Sequence, residues 1–164
     1  MCEKQKNITE FYETTVKEIM LTSKSEIPHI ADDVDIINAL SILQKKDHVW
    51  VMNSKEPNQL VGVITESDTI VFFCPPLTSS QIFDSPDSRS LQFGETLTTQ
   101  EIMSKNPVTA APDEKIRDVI VKMKEQKIKH LPIVDEFGQL IGELSLHRIL
   151  EEYLKYQSDP KIIS

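Results

Sequence analysis

The chain has 164 residues, 39% of them hydrophobic, with four glycines and 18 basic against 26 acidic side chains, a net charge of −8. That apolar share supports a folded core over a disordered chain, and the acidic balance disfavours a general nucleic-acid binder, which needs a basic surface. Gly62, Gly94, Gly138 and Gly142 are too scattered to write a Rossmann fingerprint or a P-loop, so any phosphate must be held without a glycine-rich loop.

The opening MCEKQKNITEF has no apolar core of a secretory signal, and no apolar run approaches the length of a membrane span. Cys2 and Cys74 form neither a CxxC pair nor a zinc pattern. The expected setting is therefore cytoplasmic, with reduced thiols and no metal.

The elements then repeat. Val16–Met20 (VKEIM) returns as Thr99–Met103 (TQEIM), and Gln59-Leu60-Val61-Gly62 returns as Gln139-Leu140-Ile141-Gly142. Between these, Ala31, Asp33 and Ile36 match Ala111, Asp113 and Ile116, and His48 matches His130. In each copy an extended stretch (IPHIA, PVTAA) precedes an amphipathic helix, with Asp33 and Asp113 at plausible N-caps. The predicted apolar stripes are Val34, Ile37, Leu40 and Leu43 in the first copy and Ile116, Val119, Ile120 and Met123 in the second.

Two short β-type runs follow in each copy, Val49–Asn53 with Leu60–Thr65 and Leu131–Asp135 with Leu140–Ser145. Asp135-Glu136-Phe137-Gly138 reads as a hairpin turn with Gly138 at positive φ, while the longer first turn uses Pro57 and Asn58. A second helix closes each copy, over Ser67–Phe73 and Leu146–Tyr156. The expectation is an α+β protein: two β-α-β-β-α repeats, 14–74 and 98–157, packed with pseudo-twofold symmetry. A Pro/Ser-rich linker, 75–97, joins them.

EIM, HLPIVDEFGQLIGELS in the second copy and LVGVITESD in the first together resemble a tandem cystathionine-beta-synthase-type (CBS) domain pair, or Bateman module. The resemblance covers most of the chain. It implies a regulatory, non-catalytic module that binds AMP, ADP, ATP or an S-adenosylmethionine-type ligand in a cleft between the repeats, with no cofactor. Such modules commonly dimerise and regulate an effector protein.

The family's ligand motif falls on Gly62-Val63-Ile64-Thr65-Glu66-Ser67-Asp68. A carboxylate at Asp68 can accept both ribose hydroxyls, Thr65 and Ser67 offer hydroxyls, and a helix start offers N–H groups to an anion. The alternative is that Ser67 and Asp68 only cap the second helix. The resemblance adds Val63, Pro107 and Val108 around the adenine, and Lys127, Ile128, Lys129, His130 and Pro132 toward the phosphates. Solvated lysines, and a structural part for His130 and His48, are the competing readings. In the second copy Ser145 is followed by Arg148 where an aspartate is expected, so the second site should be weak or empty. The rival function is a ligand-free dimerisation or docking module, with Ile70–Phe73 and Leu150, Tyr153 and Leu154 as its apolar surface.

Overall fold

A computed structural model describes residues 3–74 and 97–157. The expected linker, apart from Leu97, lies outside the described residues. In chain order the elements are α1 (Glu3–Glu13), α2 (Val16–Ile19), β1 (His29–Ala31), α3 (Ile36–Leu43), β2 (His48–Met52) and β3 (Leu60–Thr65). A 3-10 turn (Glu66–Thr69) runs into α4 (Ile70–Phe73). Then come α5 (Thr99–Ile102), β4 (Ser104–Lys105), α6 (Ile116–Gln126), β5 (His130–Val134), β6 (Leu140–Ser145) and α7 (Leu146–Gln157). The architecture is α+β, and the chain divides into a central unit, 28–107, and a terminal unit made of 1–27 and 108–164.

In the central unit a four-stranded sheet has the order β1-β2-β3-β4. β1 runs parallel to β2, and β2–β3 is the predicted hairpin. β4 adds to its edge, with Val63 opposite Ser104. The hairpin loop is shaped by Asn53, whose Oδ1 accepts the N–H groups of Lys55 (2.8 Å) and Glu56 (3.3 Å). Ile36, Ala39, Leu43, Val49, Val51 and Ile64 form the core, with Leu97, Ile102 and Met103 packed against it. The helix phase differs from the predicted stripe. The cap is Asp35, which accepts the Ile37 N–H at 2.9 Å, and the helix starts at Ile36. That rotation buries Ile36 and Ala39 and leaves Ile37 53% exposed.

The terminal unit is built on β5–β6. Ala110 makes a parallel bridge to Ile133, and Leu21 an antiparallel bridge to Glu143, where β1 and β4 stand in the central unit. Pro132 explains why the first of these stays a bridge. In the central sheet the Trp50 N–H bonds the Pro28 carbonyl at 2.9 Å; Pro132 occupies the matching position and has no N–H. The turn after β5 is as expected: Gly138 has φ 77°, its N–H bonds the Asp135 carbonyl at 3.1 Å, and the Asp135 side chain accepts from Phe137 and Gln139. The predicted face of α6 is also found, with Ile116, Val119 and Met123 buried and Ile120 packed beside them. Its N-cap, however, is Lys115 rather than Asp113.

Each unit is completed by the short segment that carries the EIM motif. In the terminal unit Val16 and Lys17 donate to the carbonyls of Glu114 (2.9 Å) and Pro112 (3.0 Å), and Thr14 accepts the first helical N–H, from Ile116, at 2.8 Å. In the central unit Thr99 and Gln100 donate to Val34 (2.9 Å) and Asp32 (3.0 Å), and Leu97 accepts from Ile36 at 2.8 Å. Backbone carbonyls of these segments thus satisfy helix-start donors that a side-chain cap would otherwise serve. Each segment starts with its own capping box, Thr15–Glu18 and Thr98–Glu101.

Gly62 and Gly142 lie under these segments. A Cβ on Gly62 would collide with the Met103 sulfur and stand 3.0 Å from the Ser104 carbonyl oxygen. One on Gly142 would stand 2.7 Å from the Met20 sulfur and 2.9 Å from the Leu21 carbonyl oxygen. The repeated glycine therefore admits the repeated methionine.

Candidate functional site

In the central unit the candidate residues gather where β3 ends. Thr65 caps the 3-10 turn: its N–H and its hydroxyl both donate to Asp68 Oδ2, at 2.8 and 3.0 Å. The other oxygen, Oδ1, accepts the Ser104 hydroxyl at 3.2 Å. The capping role for Asp68 is thus present. A carboxylate offers about four lone-pair sites, so three donors leave capacity for another and hold the group in a fixed orientation. Ser104 had no sequence signal, because only the sheet edge formed by β4 brings it here. Val63 is half-buried on β3, opposite Trp50 and Ser104, and Ser67 is exposed. Pro107 follows Asn106, which has φ 53°.

In the terminal unit Lys127 is the left-handed residue (φ 56°, ψ 43°) that ends α6. Its N–H bonds the Lys124 carbonyl at 3.4 Å, and the Ile128 N–H bonds the Met123 carbonyl at 3.1 Å, a Schellman ending. Ile128 packs against the core, and the Lys129 carbonyl accepts the Leu146 N–H at 2.8 Å, while the Lys129 side chain is exposed. Lys122, by contrast, is spent structurally: its ammonium bonds the Thr109 carbonyl (3.0 Å) and Glu114 (2.8 Å).

His130 opens β5, half-buried, with Nδ1 3.5 Å from Oε1 of the buried Glu143. His48, its counterpart, is buried edge-to-face on Trp50, ring centres 4.9 Å apart. Pro132 is buried on β5, and its carbonyl accepts the Ala110 N–H at 3.1 Å. Val108 packs against the core. Its position matches that of Pro28, and Pro132, which has no N–H, stands where Trp50 donates in the central unit.

The second copy's motif is occupied by its own arginine. Ser145 Oγ accepts the Arg148 N–H at 3.1 Å. The guanidinium bonds the Ile19 carbonyl (3.0 Å) and lies 3.4 and 3.3 Å from Glu151 and Glu152.

Among the described residues no helix is long and apolar enough to cross a membrane. A family model for the CBS domain matches residues 16–73 and 100–155. The chain is 28% identical to a homoserine O-acetyltransferase of Methanococcus vannielii, over 87% of this chain and 25% of that protein. It thus spans about a quarter of that relative's length. It is 26% identical to an uncharacterized protein of Methanocaldococcus jannaschii, covering 74% of this chain and 83% of the other. Its fold is similar to CBSX2 crystallised with AMP (TM-score 0.70, 19% identity, 88% and 98% of the two chains). It is also similar to a CBS domain pair crystallised with 5′-methylthioadenosine and S-adenosyl-L-methionine (TM-score 0.60, 26% identity, 87% and 97%). With both copies of the repeat matched, over most of its length, the chain belongs to the CBS domain family.

Proposed function

We propose that the chain is a regulatory sensor, not a catalyst, that binds an adenosine-containing ligand of the AMP, ADP, ATP or S-adenosylmethionine type. The observation that carries this is Asp68, a half-buried carboxylate oriented by Thr65 and Ser104 with acceptor capacity to spare for ribose hydroxyls. Thr65, Ser67 and Val63 accompany it. Pro107 and Val108 serve the adenine, the Val108 carbonyl taking a base N–H. Lys127, Ile128, Lys129, His130 and Pro132 serve the remainder of the ligand. Similar folds crystallised with AMP and with adenosyl compounds support the ligand class. The cytoplasm is the proposed setting, since it keeps the exposed thiol of Cys74 reduced.

Titration calorimetry with AMP, ADP, ATP and S-adenosylmethionine tests the proposal. Binding of at least one, weakened about tenfold or more in Asp68→Ala, is the expected result, since a charged hydrogen bond to ribose is worth about 1.5–3 kcal/mol. No binding by any of the four would count against it. Ligand binding regulates an effector protein only through a difference in affinity between two states of the module.

A second reading, a homodimerising or docking module, is favoured by apolar side chains left in solvent. Ile70 and Phe73 on α4 are 68% and 65% exposed, and Leu146 and Leu150 on α7 about half. Light scattering separates the two, since a tight dimer indifferent to nucleotides supports the second.

A further inference from the structure

Resting on the proposed adenosine site, we infer that Ser104 is an internal competitor for the ribose. Its hydroxyl and the second ribose hydroxyl take the same place on Asp68, so binding of both ribose hydroxyls releases it. The count of donors carries this. A carboxylate offers about four lone-pair sites. Three are taken, by the Thr65 N–H (2.8 Å) and hydroxyl (3.0 Å) on Oδ2 and by the Ser104 hydroxyl (3.2 Å) on Oδ1. One ribose hydroxyl fits the remaining site, and a second exceeds it, so one of the three bonds is given up. The two from Thr65 form the capping box of the 3-10 turn. The bond from Ser104 is the longest of the three, its donor is exposed, and it lies on the oxygen that the cap leaves alone.

The duplication supplies an internal comparison. In the terminal unit Leu21 stands where Ser104 does, bridging Glu143 as Ser104 pairs with Val63, and Arg148 stands where Asp68 does. Ser145 there still accepts the Arg148 N–H at 3.1 Å. The turn therefore closes without a hydroxyl on the neighbouring segment, and the hydroxyl occurs only in the copy that has a carboxylate for it. Ser104 also places the competition on a slight element. β4 has two residues at the edge of its sheet, held by the register pairs Gly62–Lys105 and Val63–Ser104, and the bond to Asp68 is a side-chain tie added to these. Displacing the tie loosens β4, and by reciprocity the tie weakens ribose binding by the same factor. Occupancy of Asp68 is in this way reported on the segment that carries the second EIM motif.

The full chain, Ser104→Ala and Ser104→Thr are titrated by calorimetry with AMP, ADP, ATP and S-adenosylmethionine, and with the 2′-deoxy forms of the nucleotides. Ser104→Ala is expected to bind the ribose ligand about three- to tenfold more tightly than wild type, the contribution of one exposed hydrogen bond. Ser104→Thr keeps the hydroxyl and stays within about twofold of wild type. A 2′-deoxy nucleotide needs only the spare site, so its affinity differs by less than about twofold between wild type and Ser104→Ala. Amide exchange at Ser104 and Lys105 is expected to be faster in wild type saturated with the ribonucleotide than with its 2′-deoxy form. The two cover the same surface, so protection by coverage cancels.

Weaker or unchanged binding of the ribose ligand by Ser104→Ala makes Ser104 a support of Asp68 or a bystander. Either result overturns the inference and leaves the adenosine site standing. Equal tightening of the 2′-deoxy nucleotide, or equal exchange under the two nucleotides, also overturns it. If S-adenosylmethionine alone binds, the sign of the Ser104→Ala change decides. If none of the four ligands binds wild type, the adenosine site falls and the inference with it.

Discussion

Replacing Asp68 by alanine removes the acceptor for the Thr65 N–H and hydroxyl and for the Ser104 hydroxyl. The lost cap is expected to cost about 1 kcal/mol, measured by urea unfolding, separately from the loss of ligand affinity. A purely structural Asp68 would show the first effect and not the second. The glycines give a second measurement. Gly142→Ala places a Cβ against the Met20 sulfur and the Leu21 carbonyl. The thioether can yield and the carbonyl, tied into the bridge to Glu143, cannot. Overpacking of this kind costs about 1–3 kcal/mol, expected as a lowered urea midpoint. Methionine and glycine were both legible as repeated letters. That one stands on the other required coordinates, because they are over 100 positions apart in one unit and about 40 in the other.

At the scale of elements, α1 precedes the matched family region and still belongs to the core. Phe11 is 1% exposed and meets Tyr153 and Tyr156 of α7 edge-on, ring centres 5.4 and 5.6 Å away. Phe11→Ala is expected to cost about 3–5 kcal/mol. Amide exchange should quicken in β5, β6 and α6 more than in β2 and β3. The capping boxes give a pH dependence. The Thr15 N–H and hydroxyl hold the Glu18 carboxyl below its ordinary value. A depressed carboxyl contributes stability above its unfolded value and loses it as pH falls through the folded one. The melting temperature should therefore drop on acidification below the usual carboxylate range, and Glu18→Gln should drop less steeply there. T-x-x-E preceding each short helix was a readable signal for these boxes. The cap at Asp35 was not. Asp33 and Asp35 are equivalent by type, and the choice falls to the residue whose successor meets the Leu97 carbonyl.

For the whole molecule the two copies are unequal in the one place where a ligand would notice. Asp68 is an acceptor with capacity to spare, whereas Arg148 is a donor already bonded to a carbonyl and flanked by two carboxylates. Calorimetry should accordingly report one adenosine ligand per chain. A stoichiometry of two would show that Arg148 vacates its partners. The inequality could be read from one substituted letter, and Glu151 and Glu152 stand at i+3 and i+4 from Arg148 on the predicted helix; the bond to the Ile19 carbonyl could not be read, since Ile19 becomes a neighbour only in the folded unit.

The amino-acid sequence alone determined the duplication, the helix-hairpin-helix order within each copy, both hairpins, the buried face of α6 and the resemblance to CBS domains; α1 and β4 were not among its expected elements, and the first strand expected of the second copy is a single bridge at Ala110. Each feature it determined depends on spacing along the chain: a period of 3.6 or 2, a turn glycine, a motif that returns in the same order. Tertiary structure decided which sheet each EIM segment completes. Residues 1–27 join 108–164, and the segment at 97–105 stays with 28–74. The physical reason is that periodicity records which face of a segment is apolar, and not which of two nearly identical faces it will meet. Backbone hydrogen bonds from Val16, Lys17, Thr99 and Gln100 make that choice, and backbone groups leave no letter in the sequence.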